Sequence, residues 1–465
     1  MKVVLLFPGI SGGGFGSYGR EVEDSWINHG LCSLSASAKN AGYAVELVDL
    51  RCLTGWRHLR RLVDAKKPDI VGITMMSNDF DAAVQSARII KDVSPHTIVI
   101  VGGPHPSIDP DEVLREECFD HIVTGEGEIT FPDLLRRLEN ASPSPRLIHG
   151  IVPENLDDLP FVDRQLFAGF EVPPPGYDAP FFTLIAGRGC RFNCSFCQPA
   201  EQHIFGKSVR RRSAANVIKE LVELRDRYGF GSMMIHDDCI TEDRPWVTEF
   251  CHLYEEHGFT QPFSCQSRAD IICRHEDLIA LMARCGLRWI YIGFESGNQR
   301  ILNFLRKGTK VEHNYRAAEI CRKNGVKIHA NYMMGIPTET KDEVMDTVRM
   351  IRMIRPDSHG PAFFTPLPGS DLYKYCMDRD LSLNRGHNYR RNATDPKIKG
   401  VDYRFLWHAL AESRGIRTVG DNRILRSLEA GLVAFLLCRP RLKRIVKRLL
   451  EPFGLIRRRG AHAPF

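Results

Sequence analysis

Short apolar runs recur along the first 140 residues, in KVVLLF, AVELVDL, DIVGITM, TIVIVGG and HIVTG. Segments of helix length separate them, among them Phe80 to Val93 and one opening at Pro110 behind Asp109 as its cap. Near-continuous apolar strands alternating with helices predict a parallel, doubly wound α/β sheet of five strands, Rossmann-like and covered on both faces. From Phe181 the alternation resumes in FFTLIAG, SMMIHDD, PFSCQSR, WIYIGFE, KIHANYMMG and PAFFTPLP, with helices over Ala214 to Tyr228 and Thr340 to Ile354. Six such units predict a partial (β/α)6 barrel, because the closed TIM form takes eight. The intervening NASPSPRLIHGIVPENLDDLPF and VPPPGYDAP are rich in Pro, Asn and Ser and predict a linker crossing the surface. The expected organisation is therefore 1–140, an α/β domain; 141–180, a linker; 181–380, the barrel; and 381–465, a small helical extension.

Whole-chain properties narrow the class. At 465 residues and 43% hydrophobic composition the chain is long enough for several cores. The N-terminal MKVVLLFPG has no small-residue cleavage site and reads as a strand, and AGLVAFLLC from Ala430 is too short to span a bilayer. A cytoplasmic protein is expected. The 14 cysteines are mostly isolated in apolar surroundings, which suits reduced buried thiols better than disulfides.

On a doubly wound sheet a ligand sits beyond the carboxyl ends of the strands. There the sequence supplies GISGGGFGSYGRE, then MSNDF with Ser77 and Asn78, GGPHP with Gly102 and Gly103, and GEGE with Gly125 and Glu126. Each loop alone would serve merely to turn the chain; four on one sheet edge favour a ligand. The barrel carries a denser signal. Cys190, Cys194 and Cys197 stand as Cys-x3-Cys-x2-Cys in the loop after its first strand, the end where barrels place their chemistry. Structural zinc wants four ligands, and neither a second Cys-x2-Cys pair nor a His pair follows; His203 is the one nearby residue that could complete a zinc set. A four-iron cluster held by three thiolates keeps one iron open.

This cysteine triplet, with the aromatic Phe196 before its last member, resembles the signature of the radical S-adenosylmethionine superfamily, over about Phe181 to Tyr375. The resemblance implies a 4Fe-4S cluster on the three cysteines and S-adenosylmethionine chelated at the open iron, reductively cleaved to a 5′-deoxyadenosyl radical. By the same resemblance, Phe196, Asp237, Asp238, Arg268, Glu295 and Gly335 line the S-adenosylmethionine site. The acids suit its ammonium and ribose, and the arginine its carboxylate. The N-terminal domain, joined through DDLP (Asp157 to Pro160) and carrying GGPHP and GEGE, resembles the cobalamin-dependent class of that superfamily. That likeness implies a cobalamin held by Ser77, Asn78, Gly102, Gly103, Gly125 and Glu126. The Asp-x-His-x-x-Gly motif that supplies an axial histidine in many cobalamin domains does not occur, and His105 is read as a loop residue and not a cobalt ligand.

The reaction so implied is methylation of an unactivated carbon, with a flavodoxin or ferredoxin as reducing partner. Radical cyclisation or rearrangement without net methyl transfer remains open at this point. A methylthiotransferase would need three further cysteines, and the surroundings of Cys32, Cys52 and Cys118 do not resemble that family; a non-enzymatic sensor would have little use for the charged groups at the barrel mouth. The triplet Arg210 to Arg212 is expected to be a solvated turn. In RLKRIVKRLLEPFGLIRRR, apolar and basic positions alternate at helical spacing. Such a helix either packs on the barrel or lies in an anionic membrane interface, peripheral to the inner face, and the latter would suit a lipid or isoprenoid substrate in place of an aqueous small molecule. Too few aromatic residues interleave with the charges for nucleic acid.

Overall fold

The computed structural model describes residues 1–19, 26–167, 171–174, 176–197, 204–206, 208–384, 386–391 and 395–415. The basic C-terminal helix and His203 lie outside the described residues. Among the described residues no helix is long and apolar enough to cross a membrane.

The first sheet is wholly parallel. It contains β1 (Val3–Phe7), β2 (Val45–Asp49), β3 (Ile70–Thr74), β4 (Ile98–Gly102), β5 (His121–Thr124) and β6 (Leu147–His149) in the order β2-β1-β3-β4-β5-β6. It has one strand more than expected, and β6 falls where the sequence reads as linker. Its Leu-Ile-His is too short to show a period, and only pairing with Ile122 to Thr124 makes it a strand. Val3 pairs with Val45 on one side and Ile70 on the other, so the strand order reverses at β1 and opens a crevice beyond its end. Helices His29–Asn40 and Thr130–Glu139 cover one face of this sheet, and Trp56–Lys66 and Phe80–Val93 the other.

The second sheet runs β14-β13-β12-β11-β10-β7, again all parallel, and forms the six-stranded partial barrel. Its strands are β7 (Phe181–Leu184), β10 (Ser232–Ile235), β11 (Phe263–Ser267), β12 (Leu287–Glu295), β13 (Lys327–Met334) and β14 (Ser358–Phe363). Between β7 and β10 lie the helix Ala214–Tyr228 and a two-stranded antiparallel ribbon, β8 (Gly187–Arg188) with β9 (Arg210–Arg211). Ser213 caps that helix, its Oγ accepting from Asn216 N at 3.0 Å.

The ribbon corrects the reading of Arg210 to Arg212 as solvated. All three are partly buried and paired. Arg210 bonds Glu126, Arg211 donates to Asp237 Oδ2 at 2.5 Å, and Arg212 donates to Glu220 Oε2 at 2.5 Å. Three like charges in a row stay folded in because each meets a carboxylate from a different element. The linker also departs from a plain surface path, since Leu156, Leu159 and Pro160 line the cavity described next.

Candidate active site between the two sheets

A cavity of about 390 Å³ lies between the carboxyl ends of the two sheets. One wall is the edge of the first sheet, where Gly72, Gly102, Gly103, Gly125 and Gly127 leave the backbone bare; the other comes from the barrel, with Ile185 to Arg188 and His236 to Asp238. Two of these glycines sit where a side chain would crowd its neighbours. Gly103 has φ +107°, and a Cβ there would lie 3.0 Å from Thr74 Oγ1 and 3.1 Å from Met75 N. A Cβ on Gly127 would lie 2.8 Å from Leu34 Cδ2. A side-chain-free, largely apolar cradle at the carboxyl ends of β3, β4 and β5 fits a large flat cofactor such as cobalamin.

Gly102, Gly103, Gly125 and Glu126 all line this cavity. Ser77 and Asn78 do not. Ser77 Oγ lies 3.1 Å from His105 Nδ1 within the first domain, and Asn78 Oδ1 accepts from Tyr389 N of the post-barrel segment at 3.0 Å, so both expected cobalamin contacts are engaged elsewhere. His105, expected in a loop, lies instead in the short helix Pro104–Ile108, where it is buried and is not among the residues lining the cavity. Glu126 lines the cavity, but its carboxylate is taken: it pairs with Arg188 on β8 and Arg210 on β9, while Arg188 Nη2 donates to Glu128 Oε1 at 2.6 Å. GEGE thus fastens the first domain to the ribbon of the second. Burial works against the charge on Glu128, yet Arg188 holds its carboxyl below the usual range.

On the barrel side, Cys190, Cys194 and Cys197 are free thiols on one loop. Ser195 anchors that loop. Its N donates to Leu305 O at 2.9 Å, its Oγ to Phe304 O at 3.1 Å, and its O accepts from Leu372 N at 2.9 Å. Phe196 packs beside Ile301, Leu305 and Met333, with Lys307 Nζ 5.8 Å from its ring centre. Partial burial pushes the Cys190 thiol up to about 12, so its surroundings alone favour the protonated form. The three sulfurs do not close within 4.8 Å of one another, as donors to a single ion would. Three thiolates suit a cluster, where each iron takes one, better than one zinc, which wants four ligands.

The remaining predicted residues gather around this loop in different ways. Arg268 stacks 3.7 Å from the centre of the Phe192 ring and directs Nη1 to Cys194 Sγ at 3.6 Å, while Nη2 bonds Lys307 O. Its guanidinium is committed to the cysteine loop. Asp237 is buried and accepts from Ala186 N at 2.8 Å as well as from Arg211, so it organises the turn after β7. Asp238 makes no hydrogen bond with the described residues. Burial, then Asp237 and Glu242, raise its carboxyl to about 6. Glu295 closes β12 at φ +61°, a strained position for a side-chain-bearing residue, and pairs with Lys307 Nζ at 2.9 Å. Gly335, at φ +77°, donates its N–H to Glu339 Oε2 at 2.7 Å.

Sequence reading missed several of the participants. His29 and His236 both line the cavity; burial keeps both imidazoles neutral, lowering His236 to about 4. His236 stood beside the quoted Asp237, whereas His29 opens a helix and carried no signal. Lys307 and Ser195 likewise sit in no recognisable pattern, because their roles depend on what the fold brings to them.

Residues 17–135 match the B12 binding domain family and residues 184–351 the Radical SAM superfamily. An uncharacterized methyltransferase of Pyrococcus horikoshii is 29% identical over 476 residues, covering 99% of this chain and 97% of that protein. An anaerobic magnesium-protoporphyrin IX monomethyl ester cyclase of Rubrivivax gelatinosus is 26% identical over 82% of this chain and 70% of its own. In fold, the chain matches the solved radical S-adenosylmethionine methyltransferase TsrM from Kitasatospora setae with TM-score 0.68, at 16% identity, over 97% of this chain and 99% of that one. With the two matched domains meeting at one cavity beside a three-cysteine loop, the chain belongs to the cobalamin-dependent radical S-adenosylmethionine enzymes, with a 4Fe-4S cluster, S-adenosylmethionine and cobalamin as its cofactors.

Proposed function

We propose that this enzyme transfers a methyl group to an unactivated carbon of a small-molecule or lipid substrate held between its two sheets. The observation that carries the reading is one cavity walled from both sides, by the glycine edge of the first domain and by Ile185 to Arg188 and His236 to Asp238 of the second. The full-length match to a methyltransferase supports methyl transfer over cyclisation. When bound, the cluster with S-adenosylmethionine supplies a carbon radical and the cobalamin a transferable methyl group.

The chain's own residues hold and enclose. Cys190, Cys194 and Cys197 would ligate three irons, with the Arg268 guanidinium donating toward Cys194 sulfur. Asp238, unbonded among the described residues, is the acceptor left over for an ammonium or a ribose hydroxyl, while Asp237 and Glu295 shape the strand ends. Gly102, Gly103 and Gly125 would let a corrin ring approach backbone, and Glu126 with Arg188 and Arg210 keeps the two walls together. The apolar lining keeps water from a reactive centre, which is most of what a protein contributes to radical chemistry.

Anaerobic reconstitution with iron, sulfide and cobalamin, then incubation with methyl-labelled S-adenosylmethionine and a cell extract split into aqueous and lipid fractions, tests this. Label in a new product of either fraction is expected, together with 5′-deoxyadenosine. Release of 5′-deoxyadenosine with no label in either fraction would instead indicate cyclisation or rearrangement.

A further inference from the structure

Among the described residues, one trio of His, Cys, Asp or Glu donor atoms lies mutually within 4.8 Å, and it is not at the cysteine loop. It joins the first domain to the segment after the barrel: His105, Glu112 and His387. His105 Nε2 is 3.1 Å from Glu112 Oε2, and His387 Nε2 is 3.2 Å from Glu112 Oε1, so two imidazoles converge on the two oxygens of one carboxylate. The other ring nitrogens are occupied. His387 Nδ1 lies 2.9 Å from Asp81 Oδ1, and His105 Nδ1 lies 3.1 Å from Ser77 Oγ. Phe80 fixes both rings, stacked on His387 at 4.0 Å and edge-on to His105 at 5.2 Å.

A neutral imidazole carries one N–H. If His387 gives its proton to Asp81, its Nε2 lone pair points at a carboxylate oxygen, an arrangement that calls for a cation. His105 Nε2 is in the same position: 1% exposed and near Glu112, yet without an aligned hydrogen bond. Tetrahedral donors bonded to zinc at ~2.0 Å stand ~3.3 Å apart, close to the spacings found here. A histidine whose far nitrogen is tied to a carboxylate is also how metal-bound imidazoles are commonly oriented.

We propose that His105, Glu112 and His387 form a site for a divalent transition metal, zinc by preference, which staples the post-barrel segment to the first domain. The segment is placed where such a staple would matter. Tyr389 N bonds Asn78, and the positive charge of Arg391 bears on Cys197. The metal therefore fixes a strand of chain that runs from the sheet edge to the cluster loop. A fourth ligand would be water.

The test uses the full chain with its iron–sulfur cluster in place, so that the cysteines are occupied. Protein is exposed anaerobically to excess Zn2+, dialysed, and analysed for zinc per chain and by X-ray absorption at the zinc edge. Wild type should keep close to one zinc with only nitrogen and oxygen neighbours, and both His387→Ala and Glu112→Gln should lose it. Asp81→Asn, at an exposed position, should weaken zinc binding about tenfold by releasing the His387 ring. Wild type that retains no zinc, sulfur in the zinc shell, or an undiminished zinc content in both His387→Ala and Glu112→Gln would overturn the proposal.

Discussion

Glu339 tucks its carboxyl group under the Gly335 turn, where Oε2 accepts from Gly335 N and Ile336 N while Oε1 is buried without a partner. Burial raises this carboxyl to about 8 against the backbone donors that favour its charge. The folded protein therefore keeps a proton that the unfolded chain releases near its ordinary value of 4.5. Stability should fall as pH rises from about 4.5 to about 8 and level off above, and Glu339→Gln should flatten that slope; denaturation midpoints across the window check it. Gly103 sets a second expectation. Gly103→Ala forces a side chain into φ +107° against Thr74 and Met75, costing about 1–3 kcal/mol and filling the cradle, so cobalamin retained after gel filtration should drop sharply. At this level the sequence was only partly legible. Glycines and cysteines carried their meaning in type and spacing, and the loops holding Gly102, Gly103 and Gly125 do line the cavity. Ser77 and Asn78 were drawn away by His105 and Tyr389, partners that no local pattern announces.

Loops and ribbons, more than strands, decide how the parts meet. Ser195 ties the cysteine loop down through three hydrogen bonds. Ser195→Ala should cost about 1 kcal/mol and lower cluster content slightly, whereas Ser195→Pro deletes the N–H to Leu305 and should leave the protein largely without cluster absorbance after reconstitution. Glu126 is the other such point, a buried carboxylate between two arginines of the facing domain. Glu126→Ala takes the carboxylate partner from Arg210 and one of the two from Arg188, which keeps Glu128, and should cost about 1–3 kcal/mol, read as a lowered thermal midpoint with weaker cobalamin retention; Glu126→Gln, which keeps an acceptor, should fall between. The helices predicted over Phe80–Val93 and Ala214–Tyr228 appear with those limits, because long amphipathic segments specify themselves, the second with Ser213 as its cap. The β8–β9 ribbon and β6 escaped notice. Two or three residues have no period, and each exists only because a distant strand supplies its hydrogen bonds.

Two parallel sheets, each built from strands that bury both faces, leave their carboxyl ends as the places open to chemistry. That the two ends face each other across one cavity follows from the linker, whose Leu156, Leu159 and Pro160 form part of its wall, and from the Glu126 clamp. The architecture was readable from alternation, and the family from eight residues around three cysteines; the facing arrangement was not, because it rests on ion pairs between residues some 60 to 84 positions apart. The account depends above all on the cysteine loop holding a cluster with one iron free for S-adenosylmethionine. The most direct check is anaerobic, reductant-driven release of 5′-deoxyadenosine by reconstituted wild type beside Cys194→Ala. Sustained release by wild type and a fall to background in the variant are predicted; equal release by both, or none from wild type carrying a full cubane spectrum, would contradict it.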